Sequence, residues 1–228
     1  MTGGILLSEQ TREGKFLALP ENCVYNSGDR ESKKEKPMAT ELEYKYRLSP
    51  SQADMLLPPE NARRIEMETI YYDTPGGALS RRRWMLRRRM ENGRSVCALK
   101  TPLSGGARGE WEVLCGEIGQ AIGMLIAAGA PEELEHLCGA GVEPVCGAAF
   151  TRLCWVENWQ DAEVELAVDR GVLTGGGRTA PLSELEAELK KGAAADLERG
   201  CRELARRLSL VPEEKSKFRR AWELAKGV

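Results

Sequence analysis

The chain of 228 residues carries 33 lysines and arginines against 35 aspartates and glutamates, and 42% of its residues are hydrophobic. That length suits one domain with a buried core, and a net charge of −2 gives no reason to expect nucleic acid or a membrane surface as partner. No apolar run could span a bilayer, the start MTGGILL lacks the features of a secretion signal, and His136, the one histidine, excludes a histidine metal cluster and argues against a Ser-His-Asp triad.

The seven cysteines form no Cys-x-x-Cys pair and read as free thiols in a reducing cytoplasm. Residues 1–37 show no sustained period and include the charge run DRESKKEKP, which predicts a disordered leader. Met38 directly precedes the first patterned segment, so translation is expected to start there; an intact N-terminus beginning at Met1 or Thr2, read by mass spectrometry, overturns this.

From there period-two patterning dominates. ELEYKYRL (41–48) predicts a first strand. Ser49-Pro50 supplies an N-cap and a first helical residue for a short helix through SQADMLL. RIEMETIYYD (64–73) is a strand ending at the turn Thr74-Pro75-Gly76-Gly77, and WMLRRRM is another. Asn92-Gly93 marks a hairpin, after which SVCALKTP and GEWEVLC read as strands. EIGQAIGMLIAAG (117–129) is an amphipathic helix stopped by glycine, and PEELEHLCGA is a shorter one. Strands resume at AFTRLCWV, DAEVELAVD and SELEAELKK, the last two separated by a glycine-rich turn at 174–177. Two helices close the chain, over 193–208 and 212–226, with apolar stripes through Leu197, Cys201, Leu204 and Leu208, then Phe218, Trp222 and Ala225.

Alternate side chains of a strand share a face. One face of ELEYKYRL holds Glu41, Glu43, Lys45 and Arg47. Arg87 and Arg89 share a face, as do Arg108, Glu110 and Glu112, then Glu163, Glu165 and Asp169, then Glu184, Glu186, Glu188 and Lys190. Any one of these could be the wet side of an antiparallel sheet. As a set, carboxylates repeated at i, i+2 crowd like charges together, which is unfavourable unless cations sit between them. If the sheet closes on itself with helices over its apolar side, the charged faces line a tunnel. Mg²⁺ or Mn²⁺ held by Glu pairs would offset the buried charge. The interior cations Lys45, Arg87, Arg89 and Lys100 would then need an anion, and a polyphosphate chain meets both demands.

Glu41-Leu-Glu43-Tyr-Lys45 resembles the E-x-E-x-K signature of the CYTH domain, the triphosphate tunnel metalloenzyme family. The resemblance spans 38–228. It continues through Tyr72-Asp73-Thr74-Pro75, Leu86-Arg87-x-Arg89, Leu99-Lys100-Thr101-Pro102, Arg108-Gly-Glu110-Trp-Glu112, Glu163-x-Glu165 with Asp169-Arg170-Gly171, Glu184-Leu-Glu186-Ala-Glu188 and Ser216-Lys217-Phe218. It implies an α+β fold: a closed eight-stranded antiparallel β-barrel with helices packed on the outside. It also implies a hydrolase that cleaves a phosphoanhydride bond of inorganic triphosphate, or of a related organic triphosphate, with two Mg²⁺ or Mn²⁺ ions. Carried over by position, Glu41, Glu43, Glu186 and Glu188 would bind metal, with Glu110, Glu112, Glu165 and Asp169 as further acidic candidates. Lys45, Arg87, Arg89, Lys100 and Arg152 would bind phosphate, and Lys217 would reach into the tunnel mouth. Glu41, Glu43, Lys45 and Lys217 would form the catalytic set. Glu163 and Glu184 are left to pair with neighbouring cations.

One metal, with the basic residues, would hold the triphosphate while a second acidifies the attacking water. The partner is a small triphosphate, and a homodimer is compatible with the sequence. Class IV adenylate cyclase and thiamine triphosphatase activities are the alternatives within the resemblance. A non-catalytic polyphosphate-binding module is the alternative outside it, disfavoured because an anion binder gains nothing from paired glutamates.

Overall fold

A computed structural model describes residues 42–102 and 108–228; the leader over 1–37 and Glu41 lie outside the described residues. Its strands are β1 (Glu43–Arg47), β2 (Arg63–Asp73), β3 (Met85–Glu91), β4 (Arg94–Pro102), β5 (Arg108–Leu114), β6 (Glu143–Trp159), β7 (Ala162–Gly175), β8 (Arg178–Lys191) and β9 (Val211–Pro212). The helices are α1 (Pro50–Asp54), α2 (Ala78–Arg81), α3 (Ile118–Ala127), α4 (Glu133–Cys138), α5 (Ala194–Leu208) and α6 (Lys217–Lys226). None of the described helices is long and apolar enough to cross a membrane.

Local chemistry explains the boundaries. Ser49 caps α1 through a capping box in which its hydroxyl accepts from Gln52 N and the Gln52 side chain accepts from Ser49 N. Asn92 and Gly93 both take positive φ, 47° and 83°, as a two-residue hairpin between β3 and β4 requires. After β2 the buried Asp73 carboxylate accepts from the backbone N–H groups of Thr74, Leu79 and Ser80, fixing the turn into α2.

The strands form one antiparallel sheet in the order β5-β4-β3-β2-β6-β7-β8-β1-β9. This corrects the expected closed eight-stranded barrel. The ninth strand is a two-residue piece of the α5–α6 link that takes the outer edge of β1 at Tyr46 and Arg47, too short for any period-two signal. Among the described residues no ladder joins β5 to β1 or β9, so the sheet is open.

The helices divide between the two faces. Tyr46, Trp155, Val164, Leu166, Leu185 and Ala187 pack with Leu197, Cys201 and Leu204 of α5 on one face. Leu86, Leu99, Trp111 and Val113 pack with α3 and α4 on that same side, by strand parity. The closing helix α6 departs from the expectation that all helices sit outside. Its Phe218, Ala221 and Trp222 pack with Met67, Tyr71, Ala148, Phe150, Leu173 and Leu182, which alternate onto the opposite, charged face. Close approach there depends on Gly175, where an added Cβ would lie 2.5 Å from Ala221 O. No side chain larger than hydrogen fits between strand and helix.

Candidate active site

Strand register sorts the charged residues of the α6 face into rows. Glu43 on β1 stands opposite Glu188 on β8, which stands opposite Glu165 on β7. One step along, Lys45 faces Glu186; two steps along, Arg47 faces Glu184, Glu184 faces Asp169, and Asp169 faces Arg152 on β6. Six of the described acidic residues thus converge on three adjacent strands, five of them named from the sequence as metal candidates and the sixth, Glu184, assigned only to pairing.

The deepest part is a trio. Carboxylate oxygens of Asp169, Glu184 and Glu186 all lie within 4.8 Å of one another, and the first two residues are fully buried. Lys217, at the start of α6, places Nζ 2.7 Å from Asp169 Oδ2 and 2.8 Å from Glu186 Oε1 and also pairs with Glu184. Arg152 donates from Nε (2.8 Å) and Nη2 (2.7 Å) to the two oxygens of Asp169 and from Nη2 to Glu186. Arg220, one turn beyond Lys217, pairs with Glu184. Burial by itself would lower the pKa of Lys217, but Glu186, Asp169 and Glu184 outweigh it and hold the ammonium above its ordinary value. Arg152 is raised in the same way by Asp169 and Glu186 against its burial. Burial also pushes Glu186 upward, but Lys217 and Arg152 prevail and hold it down at about 2. At Glu184 burial wins, and its carboxyl is pushed above the usual range.

The row Glu43–Glu188–Glu165 is more open and more loosely compensated. Lys45 Nζ lies 3.2 Å from Glu43, Lys190 Nζ lies 3.0 Å from Glu188, and Arg63 Nη2 lies 3.1 Å from Glu165. Glu163 stands opposite Lys191 in register and is exposed.

The other end of the sheet carries a second group of cations. Lys100 Nζ lies 2.7 Å from Glu110, while Arg87 reaches Glu110 and Glu112 only at 3.5 Å and Arg89 reaches Glu112 at 3.6 Å. The Nε atoms of Arg87 and Arg89 are buried and make no hydrogen bond; that of Arg89 lies 2.6 Å from Glu91 Oε1 without the alignment a bond needs. Burial, with Arg87 alongside, lowers the pKa of Arg89. Glu110 and Glu112, read from the sequence as further metal candidates, sit among these cations on β5, away from the β7–β8–β1 carboxylates in strand order.

Four residues of this face escape the sequence reading. Tyr71 stacks on Phe218 with ring centroids 4.9 Å apart, opposite Arg87 in register. Arg63 could have been found by extending the β2 alternation by one residue. Arg220 carries the helical i, i+3 signal from Lys217. Glu213, buried beside Arg47 and Arg220, carries no periodic signal.

The donor set is all carboxylate oxygen, which suits hard divalent cations. The unpartnered guanidinium N–H groups suit an anion with several oxygens. An inorganic triphosphatase of Haemophilus influenzae is 30% identical over 171 residues, covering 70% of this chain and 48% of that protein. The chain therefore spans about half the length of that curated relative. Two solved structures share the fold. The PH1819 protein of Pyrococcus horikoshii OT3 is 21% identical, with a TM-score of 0.52 over 80% of this chain and 98% of that one. HpAC1 of Hippeastrum, described as revealing a dominant triphosphatase activity, is 21% identical, with a TM-score of 0.55 over 82% and 96% of the two chains. The family model of the CYTH domain matches residues 39–222, so the chain belongs to the CYTH domain family.

Proposed function

We propose that this chain hydrolyses a phosphoanhydride bond of inorganic triphosphate, or of a related organic triphosphate, with Mg²⁺ or Mn²⁺. The observation that carries the reading is the division of one sheet face into two parts. One is a carboxylate array on β7, β8 and β1; the other is a set of cations on β3 and β4, in which the buried Nε–H groups of Arg87 and Arg89 make no hydrogen bond. Buried donors left unpaired are costly, and an anion that supplies their acceptors relieves that cost. The relative from Haemophilus influenzae, an inorganic triphosphatase, supports the choice of anion.

Arg87, Arg89 and Lys100 would grip phosphate oxygens, with Arg152, Lys45 and Lys217 completing the cationic lining. Glu43, Glu165 and Glu188, with Glu186 and Asp169, would hold the divalent ions, and Glu41 extends the same E-x-E pattern. Bound there, the ions would neutralise phosphate charge and acidify a coordinated water. The protein's own part is to orient the chain and to balance charge: Lys217 and Arg152 remain protonated at any physiological pH and so stay positive beside the substrate.

Phosphate release from tripolyphosphate, ATP and thiamine triphosphate, each with Mg²⁺ or Mn²⁺, tests the proposal. Tripolyphosphate is expected to turn over, and Glu43→Gln to reduce its turnover at least about a hundredfold while leaving the circular dichroism spectrum unchanged. Binding without turnover of any of the three would leave a non-catalytic anion binder, and full metal-dependent activity in Glu43→Gln would remove Glu43 from the site.

A further inference from the structure

Glu213 lies outside every motif of the chain, yet its side chain is only 2% exposed. It sits in the link between β9 and α6, where its backbone N–H donates to Lys45 O at 2.8 Å. Its carboxylate accepts from Arg47 Nε at 2.7 Å, from Lys215 N at 3.0 Å and from Arg220 Nη1 at 3.4 Å. Arg220 pairs in turn with Glu184, and Glu184 with Lys217. One buried carboxylate therefore joins β1, which carries Lys45, to α6, which carries Lys217.

A buried acid is retained without stability cost only when several donors satisfy it, and here they come from Arg47 on β1, Arg220 on α6 and the backbone of the link between β9 and α6. Burial opposes the charge on Glu213, but the bonds from Arg47 and Lys215 N overcome it and keep the carboxyl below its ordinary range, so the clamp is charged at neutral pH. Arg47 is mostly exposed and Glu213 touches none of the carboxylates of the trio. Its action on them runs through Arg220.

We propose that Glu213 is a positioning residue that locks the start of α6 to β1, setting where Lys217 stands relative to Lys45. The inference rests on the triphosphatase reading. Losing the clamp lets Lys217 leave its seat, weakening capture of the phosphate chain, while the carboxylates of β7, β8 and β1 keep their places in the sheet.

The test is a double-mutant cycle on tripolyphosphate hydrolysis with Mg²⁺, using Glu213→Gln, Lys217→Met and the pair, with Glu213→Asp as the conservative variant. Glu213→Gln is expected to raise KM about tenfold with kcat changed less than about threefold, and Glu213→Asp to recover most of the difference. In the Lys217→Met background the same substitution is expected to change KM less than about twofold, because the group it positions is gone. An equal rise in both backgrounds, or unchanged KM in Glu213→Gln, overturns the inference. If Glu213→Gln fails to fold, Arg47→Gln releases the clamp from its exposed side and carries the same cycle. A wild-type protein that leaves tripolyphosphate intact refutes the triphosphatase reading itself, which separates that failure from failure of the clamp.

Discussion

Replacing Lys217 with methionine keeps most of the unbranched side chain and deletes one charge from the centre of the acidic trio. In the wild type the carboxylates of Asp169, Glu184 and Glu186 face three cations, Lys217, Arg152 and Arg220; in the variant one negative charge is unmatched. A contact of about 2.8 Å at an effective dielectric of about 20 is worth roughly 6 kcal/mol. Part of that is returned because the ammonium no longer has to be desolvated. Removing one partner of a buried pair typically costs about 3–5 kcal/mol. We expect Lys217→Met to lose about 3 kcal/mol in urea unfolding at pH 7 without metal, toward the lower end of that range because Arg152 and Arg220 remain. Burial already raises the Glu184 carboxyl, and losing Lys217 removes the largest influence that opposes it, so that carboxyl rises further above its unfolded value. The native variant consequently takes up protons that the unfolded chain does not, so its deficit should shrink as pH falls from 7 to 5. A loss below about 1 kcal/mol, or a deficit identical at the two pH values, refutes the view of the trio as a charge-balanced cluster centred on Lys217.

The same cluster predicts an acid limb in the wild type. Glu186 is held at about 2, below its ordinary 4.5, so its contribution to stability is complete above about pH 4.5 and is lost as pH falls toward about 2. Thermal melts over that window should decline, and Glu186→Gln should flatten the decline; parallel curves would remove Glu186 as its source. At the other end of α6, Gly175→Ala puts a methyl 2.5 Å from Ala221 O and 2.8 Å from Ala225 N. Overpacking of this kind costs about 1–3 kcal/mol, and because α6 carries Lys217 the KM for tripolyphosphate should rise along with the loss in melting temperature. An unchanged melt would mean that α6 does not press on β7 there.

Much of this arrangement is legible from alternation alone, because a strand's parity decides which side chains share a face whatever the tertiary fold. Glu43 and Lys45, Arg87 and Arg89, Glu110 and Glu112, Glu165 and Asp169, and Glu186 and Glu188 all fall on one face, as their spacing requires. Register is a separate quantity, set by turns and bulges, and it is register that brings Glu43, Glu188 and Glu165 into one row and Arg152, Asp169 and Glu184 into another. Those rows cannot be read from any single strand. The placement of Glu184 shows the consequence: its motif is visible, but its full burial beside Lys217 and Arg220 depends on which face α6 chooses.

That choice follows from shape more than from hydrophobic pattern. The stripe through Phe218, Trp222 and Ala225 fits either face equally well, and a helical period carries no information about which sheet surface is available. What admits α6 to the charged face is missing bulk at Gly175 and an apolar patch of Met67, Tyr71, Ala148, Phe150, Leu173 and Leu182 beside the charged rows. With the helix there, Lys217 points among carboxylates, and the link that precedes it crosses the edge of β1. β9 and Glu213 occupy that crossing. A two-residue strand and a lone buried glutamate leave no periodic trace, yet they tie the start of α6 to β1. The parts of this site that sequence conceals are therefore the ones that join elements, whereas the parts it displays lie within them.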